Sequence, residues 1–502
     1  MKRRSRRLAA AAIGLIALLV VAAPAVAKDR AERPNVIVVM ADDQDFRSMS
    51  AMPQTRKLIA RHGTRFEQAI VNFPLCCPSR ATFLSGQYAH NHGVIWNNAP
   101  LGGYGKLDGT QTVPVWLQRS GYRTIHIGKY LNEYGEADPL EIPPGWSDWH
   151  GGVDPSTYDY YGYTLNNNGK LRTYGREPDD YSTDVYGGIA ERAIRTAANK
   201  DKPFLLSLAP NAPHTVAVES RARVEGTPAL PAPRHADAYA DALLPRYPNF
   251  DEADLSDKPT TLSDFFPDPF TEDEIDALTD HYRGRMGSLL AVDEMVAGVV
   301  EELKRTGEYE DTVIVYTSDN GWILGEHRLR DPVTQDGRAA GVKYVPYEGS
   351  SRVPLMIAGP GFPEGRRVRG IASNADLAPT ILDLADARRE ATLPLDGVSL
   401  LRAARDPNRL DGRVALIETF ENPRGVPSYK AIRTKRYRYD LQEDGQDGLY
   451  DLKLDPWELE SVHDDARYAA IKAALQEALT RLTTCAGPSC KVPIDPLPPP
   501  GG

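Results

Sequence analysis

The chain has 502 residues, 41% hydrophobic and 25% charged, an ordinary balance for a folded soluble protein with room for one large domain and a smaller appendage. Its formal net charge is −10, so neither nucleic acid nor an anionic membrane has a general electrostatic reason to bind it. An anionic substrate would have to meet cations placed locally.

Lys2, Arg3, Arg4, Arg6 and Arg7 lead into an apolar run from Leu8 to Ala23, and Ala25-Val26-Ala27 offers a small-x-small cleavage site. Residues 1–27 therefore read as a secretory signal peptide, predicting a secreted, extracellular protein without a stable membrane anchor after cleavage. The run is short for a membrane span. Cleavage would take the net charge from −10 to −15, and the paired arginines leave Sec and twin-arginine export both open.

Asn35 to Ala41 is a continuous apolar run of the kind that forms a strand buried on both faces of a parallel sheet. It ends in Asp42-Asp43-Gln44-Asp45, at the strand exit where open α/β sheets place ligands. Two adjacent carboxylates repel unless a cation lies between them, so Asp42 and Asp43 are metal-ligand candidates, whereas Asp45 reads as a turn or cap. Pro53 to His62 is expected as a helix and Thr64 to Val71 as an extended segment. The latter delivers the chain to Cys76-Cys77-Pro78-Ser79-Arg80, with a helix expected to begin at Pro78. His90 and His92 follow that helix and read as pocket-lining or packed side chains rather than metal ligands.

Val113 to Ser120 is a predicted helix and Tyr122 to Gly128 a strand whose exit presents Lys129, Leu131 and Asn132. Ile142 to Tyr163 is aromatic and irregular. Asp180 to Asn199 reads as an amphipathic helix, and Pro203 to Ala209 as a strand that exits into Pro210-Asn211-Ala212-Pro213-His214. Thr215 to Thr271 is a long Pro-rich, acidic insertion of the kind that forms lids and binding loops. Glu272 to Thr306 carries a long helical pattern, with a break expected near Gly284 to Gly287. Asp311 to Ser318 is another strand, exiting into Asp319-Asn320-Gly321 and then His327. Lys343 precedes the apolar segment Leu355 to Ala358, and Leu377 to Ala387 is helical.

After about Ala404 the texture shifts to shorter alternating strands, including Tyr429 to Tyr439 and Gly448 to Leu454, followed by a helix from about Asp464 to Leu482. Cys485 and Cys490 read as a small disulfide loop in the tail. Adjacent Cys76 and Cys77 do not suit a bridge to one another, and Cys77 reads as a packed small residue.

Asp42, Asp43, Asp319 and Asn320 offer hard oxygen donors suited to Ca²⁺, with Mg²⁺ as the alternative, rather than zinc. Lys129, His214 and Lys343 come from other strand exits, and together these groups describe an anion site built around a metal.

The combination of Cys76-Cys77-Pro78-Ser79-Arg80, Gly128-Lys129-Tyr130-Leu131-Asn132-Glu133-Tyr134, Ala212-Pro213-His214 and Ser318-Asp319-Asn320-Gly321 resembles the type I sulfatases of the alkaline phosphatase superfamily. It is most similar to the N-acetylglucosamine-6-sulfatase branch. Leu449-Tyr450-Asp451-Leu452 with Asp455, Pro456 and Glu458 resembles that family's C-terminal motif.

The resemblance implies an α/β fold with a large central mixed, mostly parallel sheet flanked by helices, alkaline phosphatase-like, plus a small C-terminal antiparallel sheet and helix. It divides the chain into a catalytic domain over 34–404, an α+β subdomain over 405–484 and a tail over 485–502. It implies hydrolysis of a sulfate ester, the 6-O-sulfate of N-acetylglucosamine in glycans. Cys76 would be oxidised to formylglycine by a formylglycine-generating enzyme.

By the same resemblance Asp42, Asp43, Asp319, Asn320 and modified Cys76 would hold Ca²⁺, with Asp319 also helping to deprotonate the nucleophile. Arg80 would steady the formylglycine, and Lys129, His214 and Lys343 would bind sulfate and the leaving oxygen. Many sulfatases have Lys-x-His where this chain has Lys129-Tyr130-Leu131. That role would fall to Asn132, His214 or His327, with Asn132 and His327 the additional site candidates. Arylsulfatase or phosphonate and phosphate monoester hydrolase activity on the same scaffold is the alternative. The non-enzymatic alternative is a sulfated-glycan-binding protein with unmodified Cys76.

Overall fold

A computed structural model describes residues 33–200, 202–218, 224–259, 268–330, 341–421, 428–491, 493–494 and 496–501. The expected signal peptide lies outside the described residues. Among them, no helix is long and apolar enough to cross a membrane.

The seven residues Asn35–Ala41 form a strand buried along its whole length, as their unbroken apolar character requires. It pairs in parallel with Thr312–Ser318 on one side and Phe204–Ala209 on the other. Arg123–Gly128 and Asp148–Gly152 continue the parallel core. Both flanks take antiparallel strands, Thr164–Asn167 and Leu171–Thr173 on one, Leu355–Ala358 and Gly63–Ile70 on the other. Gly63–Ile70 also pairs with Arg352–Val353 (antiparallel) and Arg366–Ser373 (parallel), making an 11-stranded mixed sheet among the described residues.

Alternation along the central strand divides the core. Val36, Val38 and Met40 join a cluster that includes Ala81, Trp116 and Ile381 from three helices on one face. Ile37 and Val39 join the opposite cluster, with Ile189 from helix Ser182–Ala198 and Leu289 from helix Glu272–Thr306. The parallel strands run the same way, so the exits after Ala41, Gly128, Ala209 and Ser318 meet at one edge.

Three local expectations are corrected. Glu272–Thr306 is one continuous helix, started by a Thr271/Glu274 capping box and ended by Gly307 at φ 75°, with no break at its glycines. A Cβ on Gly284 would lie 2.3 Å from the Ala229 carbonyl oxygen, and one on Gly287 2.7 Å from Pro231, so these glycines admit the insertion against the helix. Pro53–Thr55 opens as an α-turn and continues as a π-helix over Arg56–Ala60, two residues short of His62. Tyr429 to Tyr439 is a hairpin of Tyr429–Arg433 and Tyr437–Gln442, because the Thr434 hydroxyl accepts the Arg436 and Tyr437 N–H groups and turns the chain.

That hairpin belongs to a four-stranded antiparallel sheet, Ala415–Glu418, Tyr429–Arg433, Tyr437–Gln442 and Asp447–Asp451. Helix Ala469–Leu482 covers one face through Ile471, Leu475 and Leu479, packed with Leu416, Ile432 and Tyr439. The 215–271 insertion includes a short hairpin, Val216–Val218 with Val224–Thr227. Its Lys258 ammonium also reaches the Leu459 carbonyl at 2.6 Å, joining insertion to C-terminal segment.

Candidate active site

The helix at the signature spans Cys76–Ser85 and starts two residues before the expected Pro78. Pro78 falls in the first turn, where its missing N–H would be unsatisfied anyway. Leu75 is extended and the helix turns immediately after it, so Cys76 opens the first turn with its side chain toward the strand exits. All ten helix residues are buried. Cys76 Sγ lies 3.5 Å from Asp42 Oδ1, 3.7 Å from Asp43 Oδ1 and 3.1 Å from Lys343 Nζ. Burial pushes its thiol well above the usual range, against the opposing pull of Lys129 and Lys343. Cys77 is fully buried, its N–H bonded to Asn97, and burial pushes its thiol up to about 12.

Asp42 and Asp43 are both completely buried. Burial raises the Asp42 carboxyl, but Lys129, His214 and Arg80 outweigh it and hold it at about 2. Lys129 Nζ is 2.6 Å from Asp42 Oδ2. Asp43 is likewise held low: burial opposes ionisation, while Lys343 and His214 favour it. Lys343 Nζ spans both Asp43 oxygens, at 2.8 and 2.9 Å.

Asp43 sits at φ 66°, a region a short acidic side chain tolerates and one that marks stored strain. Two contacts hold it there. Its N–H donates to Asp319 Oδ1 at 3.0 Å, and its carbonyl accepts from the Arg285 guanidinium at 2.5 Å.

Asp319 Oδ2 accepts from Arg80 Nε at 2.8 Å, and Arg80 also donates to the Lys129 carbonyl at 2.9 Å. One guanidinium thus ties the signature helix to two strand exits. Ser79 adds a hydroxyl bond to the Asp319 carbonyl. Asn320 Nδ2 donates to Asp43 Oδ1 at 2.6 Å, while Asn320 Oδ1 is buried without a hydrogen-bond partner. An orphaned amide oxygen beside two buried carboxylates is a donor set a hard divalent cation satisfies. Asp42, Asp43, Cys76 and His214 also offer ligand atoms all within 4.8 Å of one another.

His214 Nδ1 lies 2.7 Å from the Thr215 carbonyl, which can only accept, so Nδ1 carries a hydrogen and Nε2 faces Asp43 Oδ2 at 3.5 Å. Asn132 lies near this side of the site, donating to the Tyr158 hydroxyl at 2.6 Å, whereas Leu131 points into the core.

His327 is elsewhere: its Nδ1 is 2.5 Å from Glu252 Oε2, its Nε2 3.3 Å from Asn249, and its ring stacks on Tyr347. Burial holds the His327 imidazole near 3. His90 and His92 pack away from Cys76, His90 on Glu418 and the Cys485 carbonyl, His92 on Thr82. Asp45 accepts the Arg47 and Ser48 N–H groups and caps a turn. Cys485 and Cys490 are joined by a disulfide.

Sequence reasoning did not single out Tyr158, Arg285 or Ser79. Arg285 carried a signal, being a charged residue between Gly284 and Gly287, the two glycines that mark a close approach to the helix. Tyr158 had only the aromatic character of its loop.

Hard oxygen donors and cations closing on one buried side chain, at the strand exits of an α/β sheet, are the equipment of a hydrolase for tetrahedral oxyanion esters. The chain belongs to the sulfatase family, the type I sulfatases: the family model described as Sulfatase matches residues 34–387. A second model, N-sulphoglucosamine sulphohydrolase, C-terminal, matches residues 342–484. It is a sulfuric ester hydrolase. It is 33% identical to human N-acetylglucosamine-6-sulfatase over 92% of this chain and 86% of that one. It is also 33% identical to an arylsulfatase of Volvox carteri, over 94% of this chain and 77% of that one. Among solved structures, a protein in complex with its substrate D-glucosamine-2-N,6-O-disulfate superposes with a TM-score of 0.69 at 26% identity, covering 89% of this chain and 97% of that one.

Proposed function

We propose that this sulfatase removes the 6-O-sulfate of N-acetylglucosamine residues in extracellular glycans, after export directed by residues 1–27 and oxidation of Cys76 to formylglycine by a formylglycine-generating enzyme. The observation that carries the reading is Cys76 Sγ seated between the Asp42 and Asp43 carboxylates, with Lys343 at 3.1 Å. Similarity to N-acetylglucosamine-6-sulfatases across almost the whole chain supports the sugar. Relatives named as extracellular sulfatases, from Drosophila melanogaster and Caenorhabditis elegans, support the compartment. In this reading residues 34–404 form the catalytic domain, 405–484 the α+β subdomain and 485–502 the tail.

Asp42, Asp43, Asp319 and Asn320 would hold Ca²⁺, with Mg²⁺ the alternative and position 76 completing the set. The unpartnered Asn320 Oδ1 and the low carboxyls of Asp42 and Asp43 fit a divalent cation. Bound there, such an ion would supply Lewis-acid polarisation of oxygens at the site, and a hydrated aldehyde at position 76 would offer one hydroxyl as nucleophile and a second whose deprotonation would let sulfate depart and restore the aldehyde.

Lys129 and Lys343, both buried, bind the sulfate oxygens, and each charge counts for more there than in solvent. Arg80 fixes the signature helix against Asp319. Asp319 accepts the nucleophile's proton. His214, its Nδ1–H bonded to Thr215, presents Nε2 to the site as the general acid for the departing sugar oxygen, which a poor alkoxide leaving group requires.

The mass of the tryptic peptide Phe66 to Arg80, from protein made in its own host, tests the nucleophile. Two intact thiols would reject it. Turnover of N-acetylglucosamine 6-sulfate against an aryl sulfate and a phosphonate ester tests the substrate, and activity on the aryl ester alone would favour the arylsulfatase reading that the Volvox carteri relative supports.

A further inference from the structure

Tyr158 lies in a 3-10 turn, Ser156–Tyr158, between the sheet edge and the site. Its ring is 4.6 Å from Lys129 Nζ and 5.0 Å from the His214 ring, tilted at 45°. It therefore touches both Lys129 and His214, the residues assigned above to sulfate and to the departing oxygen. The loop is anchored from beneath: Asn211, just past strand Phe204–Ala209, donates to the Tyr158 carbonyl at 3.1 Å.

The Tyr158 hydroxyl accepts from Asn132 Nδ2 at 2.6 Å and, among the described residues, meets no acceptor for its own hydrogen. The other atom of the same amide, Asn132 Oδ1, is buried without a partner in a residue only 7% exposed. An unspent O–H donor and an orphaned amide acceptor thus stand side by side at the leaving-group end of the site. A hydroxyl is the group that can satisfy both, since it accepts one hydrogen bond and donates another. Leaving the buried Asn132 Oδ1 unmatched is costly, and the half-buried Tyr158 hydroxyl stands at its side toward the site, which makes the two a selective element rather than a neutral wall.

We propose that Tyr158 and Asn132 form the sugar-reading wall of this sulfatase: the Tyr158 ring positions Lys129 and His214, and the Tyr158 hydroxyl with Asn132 Oδ1 binds a hydroxyl of the departing sugar. This rests on the sugar-sulfate reading above. It also gives position 132 a task of its own in a chain with Leu131 where other sulfatases carry a histidine. A cation over an aromatic face is favoured more when desolvated, as Lys129 is, so the ring restricts where the ammonium sits. An aryl sulfate offers the hydroxyl–amide pair nothing to bind, whereas a sugar sulfate does.

Tyr158→Phe keeps the ring and removes the hydroxyl, and Tyr158→Ala removes both. The ratio of kcat/KM for N-acetylglucosamine 6-sulfate to that for 4-nitrophenyl sulfate should fall about tenfold in Tyr158→Phe, chiefly through KM. Tyr158→Ala should lower kcat on both esters, by about tenfold beyond Tyr158→Phe on the aryl ester. In a Cys76→Ala background, which cannot turn over, calorimetry should show about tenfold weaker binding of N-acetylglucosamine 6-sulfate when Tyr158→Phe or Asn132→Ala is added.

An unchanged ratio in Tyr158→Phe, with wild-type protein active on the sugar, would overturn the hydroxyl reading. Equal aryl-ester kcat in Tyr158→Ala and Tyr158→Phe would overturn the positioning role. Wild-type protein active on the aryl ester but not on the sugar would reject the substrate reading instead, and the aryl-ester comparison would still decide the ring's role.

Discussion

Lys129 lies 2.6 Å from Asp42 and Lys343 3.1 Å from Cys76 Sγ, both buried, so the site concentrates positive charge that a chain of net charge −10 does not offer elsewhere by default. Truncating Lys129 leaves Asp42 without its 2.6 Å ammonium partner and removes one of the two cations proposed to meet sulfate. Lys129→Ala should lower kcat/KM by about 10²- to 10³-fold, measured on the aryl ester so that sugar contacts do not confound the result. The proposed task of Asn320 is separable, because Nδ2 serves Asp43 while Oδ1 is buried without a hydrogen-bond partner. Asn320→Ala should weaken Ca²⁺ binding by about tenfold in a calorimetric titration of chelator-stripped protein, and unchanged affinity would remove Asn320 from the ligand set.

At the scale of elements, the helix Glu272–Thr306 carries the site as much as the strands do. Gly284 brings the helix against Ala229 and Arg285 then reaches the Asp43 and Pro213 carbonyls, at 2.5 and 3.2 Å. A methyl at position 284 would press on a backbone oxygen, which cannot rotate away as a side chain would. Gly284→Ala should therefore lose about 1–3 kcal/mol of stability despite alanine's better helix propensity, read as a lower denaturant midpoint, and should lower kcat as Arg285 shifts. A gain in stability would show that the insertion yields instead.

The sequence made this helix visible through its 3.6-residue apolar period but misassigned its glycines, since a glycine admits either a break or a close neighbour and only the neighbour distinguishes them. The parallel strands were readable for a simpler reason: residues buried on both faces must be apolar throughout. The Tyr429 to Tyr439 hairpin was not, because its turn is made by a Thr434 hydroxyl inside an otherwise strand-like run.

Over the whole molecule, the two sheets are joined by polar contacts that respond to pH. His90, beside the signature helix, bonds Glu418 of the C-terminal sheet at 2.9 Å and the Cys485 carbonyl at 2.8 Å, with Asp396 and Lys430 also facing the pair. Burial lowers the His90 imidazole, but the Glu418 carboxylate and Asp396 outweigh it and raise it above 6.5. Glu418, pushed up by burial, is held below 4.5 by His90 and Lys430.

A raised histidine stabilises the fold fully below its unfolded value and loses that contribution as pH rises through its folded value. A lowered carboxyl contributes above its unfolded value and loses that as pH falls through its folded value. The pair should therefore contribute most between about 4.5 and 6.5, where both are charged, and the gap in melting temperature between wild type and His90→Gln should be widest there and narrow on the alkaline side. A gap independent of pH would mean that only the neutral hydrogen bonds matter.

Taken alone, the amino-acid sequence determined the family, the parallel core and the residue types at each strand exit, because apolar periodicity and short motifs are local properties that survive without coordinates. It could not determine which exit residues meet. Asp319, Asp43 and Cys76 are separated by hundreds or tens of residues and are brought together by the register of parallel strands and the seating of the signature helix at their exits, while His327, farther past the Ser318 exit, is drawn off by Glu252 and Tyr347. Tyr158 joins the site for the same reason: a loop with no motif of its own is carried there by Asn211 and Asn132. Contacts of that kind depend on distance through space, which only the tertiary structure decides.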